Sequence, residues 1–187
     1  MSVTLLIGGA RSGKSDLAVQ LGIRHAGTTT HGTATHGAGV VFVATAQHFD
    51  DDMTARIERH RDERPPWPTI EAPLDVASAL QSVPDEAFVI VDCLTLWVSN
   101  AMLAEWSDDA VREVAASTAK VAAARRGSTV VVTNEVGLGV HPELELGRRY
   151  RDLLGRVNRQ WADVADRSLF LVAGRAVLLH DPWELLS

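Results

Sequence analysis

Two kinds of segment alternate along this chain, distinguished by where their hydrophobic and polar residues fall. Short runs that are apolar throughout, rich in Val, Ile, Leu and Phe, are typical of parallel strands buried on both faces of a sheet. They predict strands at residues 3–7, 40–44, 87–91, 129–133 and 169–172. Longer stretches between them predict helices at residues 14–23, 51–61, 74–81, 110–126 and 144–165.

The repeated strand–helix order predicts an α/β fold with a mostly parallel sheet flanked by helices on both faces. In such sheets ligands bind at the carboxyl ends of the strands. The composition of the 187 residues shows no shift that would mark a boundary. We therefore expect a single domain spanning residues 1–187.

One segment departs from this alternation. Residues 25–39 consist only of His, Ala, Gly and Thr, and such a composition cannot bury enough apolar surface to offset the entropy lost on ordering. We expect a flexible surface loop at about residues 26–39. Its histidines His25, His31 and His36 could be a metal site, but no carboxylate or cysteine lies among them, and we favour the plain loop.

Eight residues directly after the first predicted strand match the phosphate-binding loop pattern G-x-x-x-x-G-K-[ST]. They are Gly8, Gly9, Ala10, Arg11, Ser12, Gly13, Lys14 and Ser15. Glycines let successive backbone N–H groups point at phosphate oxygens, while Lys14 reaches the β and γ phosphates and the Ser15 hydroxyl can ligate Mg²⁺. A glycine-rich turn that merely begins a helix is the alternative. The preceding strand favours nucleoside triphosphate binding, so we expect the single domain to bind a nucleotide and its α/β fold to be of the phosphate-loop NTPase kind.

A second nucleotide signal is Asp92, which ends the apolar run at residues 87–91. In phosphate-loop enzymes such a carboxylate holds Mg²⁺ directly or through water, although an Asp in this place can also be a turn or helix cap. Residues 133–142 follow another predicted strand and combine polar groups with glycines, as ligand-facing loops do. They lack the Asn-Lys-x-Asp guanine-binding motif, so a switch GTPase is disfavoured.

The predicted helix at residues 51–61 is highly charged. Its Met53, Ile57 and His60 are spaced by four and three residues, so they lie on one face of a helix. Spacing alone favours a hydrogen-bonded core or boundary histidine. The arginines Arg56, Arg59, Arg61 and Arg64 could pair with the interleaved acids or could equally suit a polyphosphate.

The amino-acid composition restricts the classes of binding partner and the cellular compartment that we expect. The net charge of −6 and isoelectric point of about 5.6 argue against nucleic acid, because binding a phosphate backbone needs clustered Lys and Arg. A single cysteine, Cys93, cannot form an internal disulfide, which favours the cytoplasm. No apolar stretch has the length of a membrane span and the N-terminus has no signal-peptide pattern, so we expect neither.

Several motifs occur together in an order known from one family. They are residues 8–15, 44–45, 51–53 and 56–57, then His60, Arg64, Pro65, Trp67, Glu71, residues 92–97, Asn100, residues 133–137, Gly139, Pro142, residues 149–152, Gly155 and Asn158. In these, the chain resembles the bifunctional adenosylcobinamide kinase and adenosylcobinamide-phosphate guanylyltransferase of cobalamin biosynthesis. It departs from the family pattern in the long His/Thr/Gly segment, in His141, in Asp52 and in the tail after Gly174.

The resemblance implies two consecutive reactions. Adenosylcobinamide is phosphorylated by ATP or GTP, and GTP then donates GMP to adenosylcobinamide phosphate, giving adenosylcobinamide-GDP and pyrophosphate. In the family a histidine carries GMP covalently, and the matching residue here is His60, which replaces the packing role that spacing alone favoured. A neutral imidazole is a suitable nucleophile near pH 7. His60 and Lys14 are thus the expected catalytic residues.

The resemblance also implies the other nucleotide contacts and the cofactor. Besides the phosphate loop, the expected contacts are Ala44, Thr45, Ala46, Arg61, Asp62, Glu63, Arg64, Glu71 and Asp92. Mg²⁺ is expected at Ser15 and Asp92, and a homo-oligomer, in the family a trimer, is expected in solution. Two other functions stay open on sequence grounds: a phosphate-loop small-molecule kinase without guanylyl transfer, and a non-catalytic GTP-binding regulator.

Overall fold

A computed structural model describes residues 2–30, 39–47 and 51–186 of the chain. The strands of this part are β1 (Val3–Gly8), β2 (Val40–Ala44), β3 (Thr69–Glu71), β4 (Phe88–Asp92), β5 (Thr129–Asn134), β6 (Arg167–Val172) and β7 (Arg175–Leu179). The helices are α1 (Lys14–Thr30), α2 (Asp51–Asp62), α3 (Val76–Ser82), α4 (Leu94–Leu103), α5 (Asp108–Ala124), α6 (Glu145–Ala162) and α7 (Pro182–Leu186).

These strands form one sheet in the order β3-β2-β4-β5-β1-β6-β7. Every neighbouring pair is parallel except β6 and β7, which are antiparallel. Alternate strand residues face opposite sides: Leu5 belongs to a core shared with α3, α4, α5 and α6, whereas Leu6 packs with α1. The predicted α/β class, with a mostly parallel sheet between helical layers, is confirmed.

The elements that sequence patterning missed have physical explanations. Helix α4 buries residues on most of its circumference, including Leu94, Trp97, Val98 and Ala101, so no apolar stripe marks it as a helix. Strand β3 has only three residues, too few for a periodic pattern. The exposed β7 pairs with β6 as a hairpin arm and accounts for part of the tail that the sequence left unassigned.

The predicted boundary between the first helix and the His/Thr/Gly loop was placed too early. Helix α1 continues to Thr30, so residues 26–30 are helical rather than part of the loop, and His25 stacks on Phe88 with ring centroids 5.0 Å apart. The low apolar content of this stretch obscured the extra turns. His31 and His36 lie outside the described residues, and among the described residues no group of three potential metal ligands is found. None of the helices described is long and apolar enough to span a membrane.

Arg125 is a buried cation that joins three segments of the fold. It follows α5, is 4 % exposed, and donates hydrogen bonds to the carbonyl oxygens of Leu80 (2.6 Å), Pro84 (3.0 Å) and Ala87 (3.1 Å). These carbonyls belong to the end of α3 and the turn before β4. Burial lowers the pKa of Arg125, and the nearby Asp85 carboxylate opposes that shift. A guanidinium suits this position because its planar fork presents several donors at once.

We predict that Arg125→Leu lowers the free energy of unfolding by about 3 kcal/mol, because it removes the guanidinium donor from the carbonyls of Leu80 and Ala87, whereas the Pro84 carbonyl keeps the N–H of Ala87. Urea denaturation followed by circular dichroism measures the effect. Arg126→Leu is the matched control, since Arg126 is adjacent but two-thirds exposed and pairs with an exposed Glu86, a pair worth about 0–1 kcal/mol. Equal losses in the two variants would contradict a special role for Arg125.

Candidate functional site

The phosphate-loop motif forms the turn between β1 and α1, at the carboxyl edge of the sheet. Gly8 lies against β6, where a Cβ would collide with the carbonyl oxygen of Leu171. Gly13 has a φ of +93°, in the left-handed region that glycine adopts without strain. The Ser12 carbonyl accepts a hydrogen bond from the backbone N–H of Gly174 at 3.0 Å. The loop is therefore fixed both by its own glycines and by the turn between β6 and β7.

Lys14 is the buried cation of this loop. Its side chain is folded back over the turn, where Nζ donates to the Gly9 carbonyl at 2.6 Å and to the Ser12 hydroxyl at 3.3 Å. The residue is only 6 % exposed. Burial lowers the pKa of Lys14, while the Asp92 carboxylate acts in the opposite direction. An ammonium group with so little water around it interacts strongly with any anion that enters the loop.

The two predicted metal ligands, Ser15 and Asp92, line the same cavity, which has a volume of about 210 Å³. Ser15 comes from the start of α1 and Asp92 from the end of β4, and both line its wall. The remaining lining residues are Asp16, Val19, Gln20, Phe42, Glu63 and Arg64. A hydroxyl and a carboxylate are hard oxygen donors, which suit Mg²⁺ when phosphate oxygens complete its shell. The donor set therefore fits the expected cation.

Strand pairing places three predicted nucleotide contacts, Ala44, Glu71 and Asp92, side by side. Ala44 is the register partner of Glu71 on β3 and of Asp92 on β4. The next residue, Thr45, is fully buried: its hydroxyl donates to the Cys93 carbonyl at 2.7 Å and accepts from the Cys93 N–H at 2.8 Å. The predicted contacts from three strands thus share one edge, and Thr45 joins the ends of β2 and β4 rather than facing an open cavity.

A second cavity of about 410 Å³ adjoins the first. It is lined by Arg61, Asp62, Arg64, Pro65, Pro66, Trp67 and Thr69, so it collects the end of α2 and the segment leading to β3. Arg64 lines both cavities. The predicted contacts Arg61, Asp62, Glu63 and Arg64 are accordingly divided between two neighbouring spaces.

The backbone of His60 lies in the last turns of α2, two residues before Asp62 in the second cavity, but its side chain lies outside the described part of the chain. Two other histidines, His48 and His141, are alternative candidates for the nucleophile. His48 falls outside the described residues, and Nδ1 of the exposed His141 is 2.7 Å from Nη1 of Arg151. Cys93 is excluded as a nucleophile near neutral pH, because burial, reinforced by Asp92, raises the pKa of its thiol to about 12.

A buried polar network that the site prediction did not include supports the loop after β5. The Thr133 hydroxyl donates to Asn158 Oδ1 at 2.7 Å, and Asn158 Nδ2 donates to the Asn134 carbonyl at 2.9 Å. The Asn134 N–H in turn donates to the Thr95 hydroxyl at 2.8 Å. These residues occur in the motifs that carry the family resemblance, but their spacing does not reveal that they meet. The network fixes the end of β5 beside the phosphate loop, where the N–H of Glu135 donates to the Gly8 carbonyl at 3.0 Å.

Comparison of the sequence with known proteins shows the family to which this chain belongs. Residues 4–179 match the family model described as cobinamide kinase / cobinamide phosphate guanyltransferase. The bifunctional adenosylcobalamin biosynthesis protein CobP of Pseudomonas aeruginosa is 40 % identical over 174 residues, covering 91 % of this chain and 92 % of that protein. The CobU proteins of Salmonella typhimurium and Escherichia coli, which share that bifunctional description, are each 37 % identical over 188 residues, covering 92 % of this chain and 97 % of theirs. The chain is therefore an enzyme of the cobinamide kinase / cobinamide phosphate guanyltransferase family.

Proposed function

We propose that this chain phosphorylates adenosylcobinamide with ATP or GTP and then transfers GMP from GTP to adenosylcobinamide phosphate through a guanylyl-histidine at His60. The products are adenosylcobinamide-GDP and pyrophosphate. One observation supports this more than any other: a complete phosphate loop borders a cavity that also carries Asp92, and this cavity adjoins a second, arginine-lined cavity at the end of the helix that bears His60.

In the kinase step the substrate hydroxyl oxygen attacks the γ-phosphorus and loses its proton to water, the bond to the β–γ bridging oxygen breaks, and the nucleoside diphosphate leaves. Charge accumulates on the transferred phosphoryl group and on the leaving group. Lys14 can exchange the neutral acceptors that it contacts, the carbonyl of Gly9 and the hydroxyl of Ser12, for phosphate oxygens. Its burial makes that exchange effective, because a desolvated ammonium stabilises developing negative charge more than a hydrated one does.

Ser15 and Asp92 are the residues that would hold Mg²⁺ in this cavity. When bound there with a triphosphate, the ion neutralises phosphate charge. The protein's own contribution is to place a hydroxyl from the first turn of α1 and a carboxylate from β4 on one wall, so that both oxygens are fixed by secondary structure rather than by a loop.

In the guanylyl step an imidazole nitrogen of His60 attacks the α-phosphorus of GTP and pyrophosphate leaves. A phosphate oxygen of adenosylcobinamide phosphate then attacks the same phosphorus and releases the imidazole. Arg61 and Arg64 offer cationic donors for the phosphates in the adjoining cavity. A histidine is a suitable carrier, because a neutral imidazole is nucleophilic near pH 7 and divides one difficult transfer into two steps.

A single assay separates this function from its two competitors. Purified protein is incubated with adenosylcobinamide, Mg²⁺ and ATP or GTP, and the corrinoid products are resolved by mass. A phosphate adduct followed by a GDP adduct is expected. A phosphate adduct alone would indicate a small-molecule kinase, and unmodified corrinoid would indicate a nucleotide-binding regulator.

Lys14→Ala is expected to abolish kinase activity while leaving the fold intact. Loss of one preorganised charge at a transition state costs about 3–4 kcal/mol, or a factor of hundreds in rate. Steady-state phosphorylation of adenosylcobinamide gives the rate, and calorimetric titration with Mg²⁺–ATP is expected to show weaker binding. Lys120→Ala, which removes an exposed lysine on α5, is the control. Turnover like that of the unmodified protein in Lys14→Ala would remove the phosphate loop from the mechanism.

Incubation with Mg²⁺ and GTP labelled at the α-phosphate is expected to leave label on the denatured chain, whereas γ-labelled GTP should leave none by this route. A phosphorus–nitrogen bond to imidazole is labile in acid and relatively stable in alkali, unlike a phosphate ester. His60→Ala should lose the label and the guanylyl transfer but keep part of the kinase activity, because Lys14, Ser15 and Asp92 serve that step.

His141→Ala is the matched control for this labelling, since it also removes a histidine near the strand carboxyl ends but is expected to keep the label. Label that persists in His60→Ala and maps to His48 or His141 would show that the nucleophile was assigned wrongly. Such a result would leave the family unchanged.

A homo-oligomer, with the trimer that the family resemblance implies, is part of the proposal. Supporting it, the C-terminal hairpin arm and tail expose large apolar side chains that are costly in water: Val177 is 62 % exposed, Trp183 75 % and Leu186 76 %. We also propose the cytoplasmic location that a single cysteine favours.

Light scattering after size exclusion is expected to give about three times the chain mass of 20.2 kDa. Val177→Glu should shift this mass toward the monomer, because it places a charge within the exposed apolar surface. Leu103→Glu adds the same charge at an exposed apolar residue at the end of α4 and should leave the mass unchanged. A monomeric parent protein would contradict the assembly.

A further inference from the structure

Arg64 stands between two spaces that the proposed function assigns to different phosphate groups. It lines the cavity that holds Ser15 and Asp92, and it also lines the cavity that holds Arg61 and Trp67. A side chain in this position can contact an occupant of either cavity. A side chain of this length stays at the boundary between the two cavities only if other residues hold it there.

Two residues on neighbouring strands hold the Arg64 guanidinium. Its Cζ lies 3.5 Å from the centroid of the Phe42 ring, and its Nη2 donates to the Thr69 hydroxyl at 2.9 Å. Phe42 on β2 and Thr69 on β3 are register partners in the sheet, and the Phe42 N–H donates to the Pro68 carbonyl at 2.9 Å. The ring contact and the hydroxyl contact are therefore set by the same strand pairing.

The geometry leaves most of the guanidinium available. The bond to Thr69 uses one of the five N–H donors that an arginine carries, and the Phe42 ring covers one face of the plane. Phe42 lines the first cavity and Thr69 lines the second, so the two supporting residues lie on opposite sides of the boundary. Arg64 is thus oriented by contacts that do not consume its capacity to bind phosphate oxygens.

The electrostatic surroundings of the Arg64 guanidinium favour the binding of an anion. Burial lowers the pKa of its guanidinium, Arg61 adds to that shift, and Asp92 opposes it. Arginine nevertheless stays protonated under physiological conditions. A polyphosphate in either cavity relieves the repulsion between the two arginines.

We propose that Arg64 binds phosphate oxygens in both the kinase and the guanylyl-transfer steps, and that Phe42 and Thr69 are positioning residues that hold its guanidinium at the boundary between the two cavities. This inference rests on the proposed function, since it needs both steps to occur in one chain. It assigns roles to Phe42 and Thr69 that no motif in the sequence marks.

A double-mutant cycle tests the proposal, with kcat and KM measured for both reactions and Mg²⁺–GTP binding measured by calorimetry. Thr69→Val, which removes the hydroxyl at nearly constant volume, is expected to lower kcat/KM about tenfold in each reaction. Arg64→Ala should lower it about a hundredfold. Because Thr69 acts through Arg64, adding Thr69→Val to Arg64→Ala should change kcat/KM by less than about twofold.

Two substitutions distinguish positioning from a general effect on the fold. Thr69→Ser keeps the hydroxyl and should restore activity to within about twofold of the parent, whereas Thr118→Val makes the same change as Thr69→Val at a buried threonine on α5 and should leave both reactions unchanged. Phe42→Leu removes the ring but keeps an apolar side chain, and should lower both activities. It provides the same test if Thr69→Val does not fold.

Several results would overturn the proposal. Additive losses in the double variant would show that Thr69 does not act through Arg64. A loss in only one reaction would confine Arg64 to one cavity, and unaltered kinetics in Thr69→Val and Phe42→Leu would remove the positioning role. A parent protein that lacks guanylyl transfer would instead refute the proposed function, and that failure is visible before any variant is made.

Discussion

Parallel pairing of β2, β4, β5 and β1 is the constraint on which the rest of this structure depends. In a parallel sheet all strands end at the same edge, so residues that are far apart in sequence become neighbours when their strands are in register. Here the register sets Gly8 opposite Asn134 and Asp92 opposite both Ala44 and Val132. The phosphate loop, Asp92 and the buried Thr45 are therefore brought together by backbone pairing, and their side chains supply the functional groups.

The site brings cations and carboxylates together: Arg61 and Arg64 line its two cavities with the acids Asp16, Asp62, Glu63 and Asp92. Lys14, Arg61 and Arg64 are gathered at one edge of a chain with a net charge of −6. Neutral contacts hold two of these three side chains in place. A backbone carbonyl holds Lys14, and an aromatic ring and a hydroxyl hold Arg64. Such contacts orient a cation without neutralising it, and an entering polyphosphate then meets charges that need little rearrangement.

The sequence could predict the structural features that are determined by residues adjacent to one another along the chain. The phosphate loop and the strand before it form one continuous segment, and Asp92 directly follows an apolar run, so their location and the fold class followed from local pattern. The contact of Arg64 with Phe42 could not be predicted this way, because it links positions 22 residues apart through the pairing of β2 with the three-residue β3. Helix α4 was missed for a different reason: an element that buries most of its surface has no periodicity to detect.

The hydrogen bond between Gly174 and Ser12 has a thermodynamic consequence. It connects the phosphate loop to the turn that leads into β7, whose outer surface carries exposed apolar side chains. If covering β7 shifts this turn, the Ser12 carbonyl moves with it, and the affinity of the loop for a triphosphate changes. Linkage requires the reverse effect to be equal: nucleotide at the loop would then change, by the same factor, the affinity of β7 for whatever covers it.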